Sequence, residues 1–275
     1  MYSIKIMKIC PVCETNKYRK KLLKVEGGVV YKCEGCGLGI FKGPMPTYVG
    51  ADIKESNLVR FFKRILLWHE FGYLQQKKKL LEIGSGSGEL AAYLDSRGHK
   101  VYCSDIDKNN LKRIKETFGF KTIYWDVSKP KKMKDKFDCI VLRHVFEHFD
   151  DPVSVLKNLK ALLKPGGSLI FTQPNFGSWS RILAKEKWVW TTPYHRFFWD
   201  LKTLQALLEK EGFVVTRKRG IFSPFGFPLH LGKILGFKQN SVPVLLFTAP
   251  LGIILEFFAV FFNGSNNLLL EAKSS

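Results

Sequence analysis

Between positions 79 and 174 short apolar runs alternate with amphipathic ones, and this restricts the fold more than any other feature of the chain. KLLEI (79–83), KVYCSD (100–105), KTIYWDV (121–127), FDCIVL (137–142) and SLIFTQP (168–174) read as strands. Continuous Val, Ile and Leu runs bounded by turn residues mark strands buried on both faces. GELAAYLDSRG (88–98), KNNLKRIKETFG (108–119) and DDPVSVLKNLKALLKPGG (150–167) carry helical spacing, the last opened by Asp and Pro and closed by Pro-Gly-Gly. Strands separated by helices pair in parallel with helices on both faces, so the predicted class is α/β with a doubly wound sheet. Such a sheet binds ligands outside the carboxyl ends of its strands, where the strand order reverses.

The first strand runs into EIGSGSGE, Glu82 to Glu89. Gly84, Gly86 and Gly88 permit a tight turn and close approach of a ligand to the backbone, just before a helix N-terminus. The spacing is G-x-G-x-G; a dinucleotide fingerprint would place its third glycine at position 89, which is Glu. Asp105 ends the second strand, where an acid accepts hydrogen bonds from a ribose diol. Asp126 ends the third, where a carboxylate can meet an adenine amino group.

These residues resemble the class I S-adenosylmethionine-dependent methyltransferases over most of 79–220. LLEIGSGSGEL is similar to their first motif, SDID to the acidic ribose loop, YWDV to the adenine-side loop, and LLKPGGSLIFTQPN to the segment leading through the fifth strand. The resemblance implies a Rossmann-like, mostly parallel seven-stranded sheet with S-adenosylmethionine as cofactor. Glu82, Gly84, Gly86 and Gly88 would surround its methionine and sugar, Asp105 and Ile106 the ribose, and Asp126 and Val127 the adenine side. After a helix at 200–212 and a sixth strand at 212–219, NNLLLEAKS (266–274) resembles the seventh strand, which slots between the fifth and sixth.

LRHVFEHFDDP (142–152) carries a His-x-x-Glu-His pattern that elsewhere ligates zinc in peptidases. That reading needs His144, Glu147 and His148 on one helical face, yet a strand ends at Leu142 and a new helix starts at Asp150. HVFEH followed by an acid and Pro instead resembles the methyltransferases' loop after the fourth strand, which borders cofactor and acceptor. His144, Glu147 and His148 are then candidates for general base or acceptor contact, since imidazole titrates near neutral pH. Loop shaping by hydrogen bonds is the competing role. Tyr194 and His195, in WVWTTPYHRFFWD (188–200), resemble the family's Pro-x-His loop over the acceptor pocket. Trp188 and Trp190 alternate, so one of them faces inward.

Six cysteines divide cleanly. Cys10 and Cys13 form CPVC, Cys33 and Cys36 form CEGC, and the nineteen-residue separation fits a four-cysteine structural Zn²⁺ site. Cys103 and Cys139 lie in apolar runs and read as buried small hydrophobes. The expected organisation is a zinc-ribbon or knuckle module at 1–45, a linker helix within 46–78 (apolar spacing over 56–76, Ser56 as N-cap) and the methyltransferase domain at 79–275.

An apolar insert at 221–263 precedes the last strand. VPVLLFTAPLGIILEFFAVFF (242–262) carries one charge, Glu256, and Pro250-Leu251-Gly252 is expected to split it into two short helical pieces. A single membrane crossing would put the sixth and seventh strands on opposite sides of a bilayer. The insert therefore reads as a peripheral membrane or lipid-acceptor contact, or as a cap or dimer face. The N-terminus shows no apolar run of signal-peptide length, so a cytoplasmic protein, peripheral at the inner membrane surface, is expected. The net charge of +20 (44 Lys and Arg, 24 Asp and Glu) favours anionic partners without choosing one. Three functions compete. The first is methyl transfer to oxygen or carbon of a small-molecule, sugar or lipid-linked acceptor, with zinc-knuckle-bearing sugar C-methyltransferases the nearest pattern. The second is RNA methylation, using basic surface and zinc module, although the Asn/Asp-Pro-Pro-Tyr/Phe signature of adenine-amine enzymes is missing. The third is non-catalytic zinc and lipid binding, against which the intact glycines and both acids stand.

Overall fold

The computed structural model describes residues 9–46, 57–223, 226–236 and 242–274; Ser56 lies outside them. By compactness the chain divides into two units, one formed by 1–48, 173–207 and 218–269, the other by 49–172, 208–217 and 270–275.

The first unit opens with β1 (Tyr18–Val25), β2 (Gly28–Cys33) and β3 (Gly39–Lys42), an antiparallel meander. The second opens with α1 (Asn57–Phe71), shorter than the apolar spacing predicts, followed by β4 (Lys79–Ile83), α2 (Glu89–Ser96), β5 (Lys100–Asp105), α3 (Lys108–Phe118) and β6 (Lys121–Tyr124). Asp107 caps α3 by accepting from the Asn109 amide, and Gly119 ends it at φ +72. β6 stops three residues before the predicted end at Val127, because Asp126 turns the chain by accepting from the Ser128 amide.

β7 (Phe137–Arg143), α4 (Pro152–Lys160) and β8 (Leu163–Pro174) follow. Asp151 caps α4 with Pro152 at its first turn, as the sequence signals. The helix ends well before the predicted Pro-Gly-Gly stop: β8 already pairs at Leu163↔Phe137, and KPGG forms an irregularity before pairing resumes at Ser168↔Cys139. Gly167 is needed there, since a Cβ would stand 2.9 Å from the Lys164 carbonyl.

α5 (Trp179–Ala184), β9 (Phe197–Phe198), α6 (Leu201–Lys210), β10 (Phe213–Ile221), α7 (Gly226–Ile234), α8 (Val242–Phe261) and β11 (Asn267–Ser274) complete the chain. The large sheet is seven-stranded, ordered β10-β11-β8-β7-β4-β5-β6, with β4, β5, β6, β7 and β8 parallel. This is the expected Rossmann-like α/β fold, with the last strand between the fifth and sixth of the sheet's sequence. The order reverses between β4 and β7, so their carboxyl-end loops are neighbours. Cys103 and Cys139 are fully buried in this sheet, and burial pushes both thiols up to about 12.

In the first unit β9 extends the small sheet to β1-β2-β3-β9 through Gly39↔Phe198 and Ile40↔Phe197. Leu23, Val30, Phe41, Phe176, Trp188 and Phe198 form the unit's apolar cluster, so Trp188 is the inward-facing member of its pair. α8 departs from the expected split: it is one helix with Pro250 inside, and its hairpin partner is α7. Pro in a helix interior costs about 3 kcal/mol. The close α7–α8 contact offsets this: the Thr248 hydroxyl donates to the Pro228 carbonyl at 3.1 Å, and a Cβ at Gly252 would stand 2.5 Å from Pro228. Glu256, the one charge in 242–262, is fully buried; its carboxylate accepts from the Ser223 amide, the Asn266 amide and Asn266 Nδ2. It thereby fastens α8 to the start of the insert at Ser223 and to Asn266 just past its end.

Candidate functional site

The glycine loop joins β4 to α2. Gly84 (φ +69) and Gly88 (φ +80) adopt left-handed backbone that only glycine takes at little cost. A Cβ at Gly84 would also lie 2.5 Å from Val145, so the β4 and β7 loops touch. At Gly86 (φ +50) no neighbour stands within 4 Å of a built Cβ, which leaves this face of the loop open. Asp105 holds the loop: its carboxylate accepts from the Gly86 amide and the Asp107 amide, both at 2.8 Å. Ile106 beside it is 65% exposed, an apolar surface at the end of β5. Asp126 is tied to its own turn, accepting from the Ser128 amide and hydroxyl and pairing with Lys129 at 3.2 Å. Against desolvation, these contacts hold its carboxyl below the usual range. Val127 is buried, its carbonyl accepting from Asn158.

Glu82 is the electrostatic anomaly of the loop. It is buried, and Oε2 has no hydrogen-bond partner among the described residues. Burial pushes its carboxyl up to about 8, although Arg143 pulls the other way. Arg143 donates two parallel hydrogen bonds to Glu70 of α1, at 2.9 and 3.1 Å. In the sequence this pair is signalled only by an arginine ending an otherwise apolar strand.

The β7 loop begins at His144, whose φ of +53 is a strained backbone for a non-glycine residue. Its amide donates to the Thr172 carbonyl at 2.7 Å. Phe146–His148 form a short 3-10 turn, with Phe146 packed edge-on against Phe171. The two histidines therefore do not share a helix, which removes the peptidase geometry. His144 Nδ1 lies 3.9 Å from Glu147 Oε1, and burial pushes the Glu147 carboxyl up to about 6 against the pull of His148. In the other unit, His195 is buried, stacked on Trp190 and edge-on to Phe198, while the Tyr194 amide donates to the Thr192 hydroxyl.

The four predicted metal ligands come together. Their sulfurs all lie within 4.8 Å of one another, with Cys10–Cys36 at 3.6 Å and Cys13–Cys33 at 3.3 Å. A disulfide would need about 2.05 Å, whereas a tetrahedron of zinc–sulfur bonds of about 2.3 Å has edges of about 3.8 Å. Gly35 is required beside them, because a Cβ there would stand 2.7 Å from the Cys13 sulfur. The donor set thus fits Zn²⁺.

A glycine loop, an acid ending the next strand and a histidine-bearing loop across the switch point define a Rossmann-like nucleotide-cofactor protein. The chain belongs to the methyltransferase-domain family, whose sequence profile matches residues 35–218. It is 31% identical over 155 residues to the ubiquinone biosynthesis O-methyltransferase of Actinobacillus pleuropneumoniae serotype 7 (strain AP76), covering 45% of this chain and 66% of that protein. The chain thus spans just under two thirds of that relative's length. Among solved structures it shares its fold with a SAM-dependent methyltransferase from Archaeoglobus fulgidus (TM-score 0.54, 21% identity, 78% of this chain and 94% of the other). A possible histamine N-methyltransferase from Thermotoga maritima superposes equally well (TM-score 0.54, 16% identity, 79% and 92%).

Proposed function

We propose that the protein transfers the methyl group of S-adenosylmethionine to an oxygen of a small, apolar acceptor. The observation that carries this is the buried Glu82 oxygen, left without a partner beside a glycine loop open at Gly86. A cationic ammonium would satisfy that oxygen and favour its ionised form. In this reading Glu82, Gly84, Gly86 and Gly88 hold the methionine and sugar, Asp105 the ribose hydroxyls with Ile106 against the ring, and Asp126 and Val127 the adenine side. The bound cofactor supplies an electrophilic methyl group on a sulfonium sulfur. The chain's part is to orient the acceptor and remove its proton. His144 takes that proton, and Glu147, 3.9 Å away, stabilises the imidazolium that results. His148, Tyr194 and His195 are assigned acceptor contacts on the family resemblance of their loops. Oxygen is favoured over carbon by the O-methyltransferase relatives. RNA methylation keeps only the net charge and the cysteine module in its favour.

The finer assignments are Zn²⁺ on Cys10, Cys13, Cys33 and Cys36, and peripheral lipid contact through the insert. Leu251, Ile254, Phe257, Phe258, Phe261 and Phe262 stand exposed along and just past α8, an apolar face suited to a lipid surface or a lipid-linked acceptor. Among the described residues no helix is long and apolar enough to cross a membrane.

Titration calorimetry with S-adenosylmethionine, followed by labelled-methyl transfer to a panel of phenols with and without prenyl chains, tests the reading. Saturable binding that falls at least about tenfold in Asp105→Ala is expected, since the variant loses two loop-ordering hydrogen bonds. A protein that binds no S-adenosylmethionine, or binds it equally well in Asp105→Ala, would end the proposal. Methyl transfer only to carbon would correct the acceptor atom.

A further inference from the structure

α1 and α2 lie together in the second unit, joined near the glycine loop by an ion pair between Lys63 and Glu89 at 3.1 Å. One to two turns further along α2 they leave an open cleft of about 570 Å³, lined by Arg64, Ile65, Trp68, Tyr93, Ser96 and Arg97. The spacing produces facing stripes: Arg64 and Trp68 are four apart on α1, and Tyr93, Ser96 and Arg97 fall at i, i+3 and i+4 on α2 and its end. Neither guanidinium has a carboxylate partner among the described residues. Tyr93 is only 7% exposed, yet its hydroxyl has no hydrogen-bond partner there. Burial raises the phenol's pKa, while the charges of Arg97 and Arg64, which line the same cleft, pull it back. Trp68 stands 60% exposed at the same cleft.

We propose that this cleft binds a phosphate ester, its phosphate held by Arg64 and Arg97, and its organic part lying on Trp68 and Ile65. Two forked guanidiniums match a phosphate's charge and its several acceptor oxygens. The exposed indole supplies a flat apolar surface that inorganic phosphate would leave unused. Nothing in this assignment depends on the methyl-transfer reading, because none of the six residues belongs to the site described above.

Titration of the full chain with inorganic phosphate, uridine monophosphate and monomeric dihexanoyl phosphatidic acid tests it. A phosphate ester should bind saturably and more tightly than inorganic phosphate, and the Arg64→Gln/Arg97→Gln protein should lose about tenfold or more in affinity. Tyr93→Phe removes only a hydroxyl sealed from the cleft and should leave all affinities unchanged, whereas Trp68→Ala should weaken only the esters. Tighter binding of the nucleotide assigns the site to a soluble phosphate ester; tighter binding of the lipid, sensitive to both arginines, assigns it to a headgroup. Thermal melts establish that each variant is folded. No saturable binding of any probe, or affinities unchanged in the folded double variant, overturns the proposal.

Discussion

At the scale of single residues, the chemistry concentrates on groups whose surroundings disagree with their charge. Glu82 has a folded-state pKa raised by burial to about 8 from the ordinary 4.5. Between those values the folded state holds a proton that the unfolded chain has lost. The free protein therefore loses stability as pH rises from 4.5 to 8, and the contribution is intact below that window. Glu147 and Glu256, raised by burial to about 6 and about 7, act with the same sign. Glu82→Gln should remove its share: melting temperatures at pH 5 should match the parent, and at pH 8.5 the variant should be the more stable by roughly 1–3 kcal/mol. The same variant should bind S-adenosylmethionine about tenfold more weakly, because a neutral amide cannot pair with an ammonium. Unchanged cofactor affinity, with the stability effect present, would mean that Glu82 is buried for packing alone. None of this was readable in LLEIG beyond the presence of an acid, because whether a carboxylate keeps its water depends on what Arg143 and Glu70 do 61 and 12 positions away.

At the scale of elements, local sequence and observed geometry agree most where a turn demands one residue type. Gly84→Ala combines left-handed backbone with a Cβ 2.5 Å from Val145, and should destabilise the protein by about 2–4 kcal/mol in a denaturant titration. Adding Val145→Ala should recover part of that loss but not all, since relieving the clash leaves the backbone strain. The cysteine turns were legible for the same reason: ligand spacing is a local property, and the sulfurs meet as the spacing requires. Cys36→Ser should abolish bound zinc, about one ion per chain in the parent, and open 9–46 to limited proteolysis. Metal content unaffected by that change would refute the four-cysteine site. Pro250 shows the limit of local reasoning, because a residue that ends helices in isolation sits inside α8, which its contact with α7 holds in line.

For the molecule as a whole, the proposed lipid contact would draw on both the net charge of +20 and the exposed face of α8. Flotation with phosphatidylglycerol vesicles should carry the parent protein upward, and Phe257→Ser/Phe258→Ser/Phe261→Ser should reduce the bound fraction about tenfold at equal salt. Equal flotation of the two proteins would mean that charge alone recruits the chain and that this face serves another purpose. The sequence by itself determined the strand and helix alternation, the glycine loop, the acids ending β5 and preceding α4, and the grouping of four cysteines. Each is a regularity of residues close in the chain, where backbone geometry and side-chain period act directly. Only the tertiary structure decided that two residues of β9 extend the cysteine module's sheet, and that Glu70 meets Arg143 across 73 positions. The same holds for Glu256 fastening the insert, and for two arginines lining one cleft with Trp68. These depend on which groups exclude water from one another, and that is settled when distant segments pack.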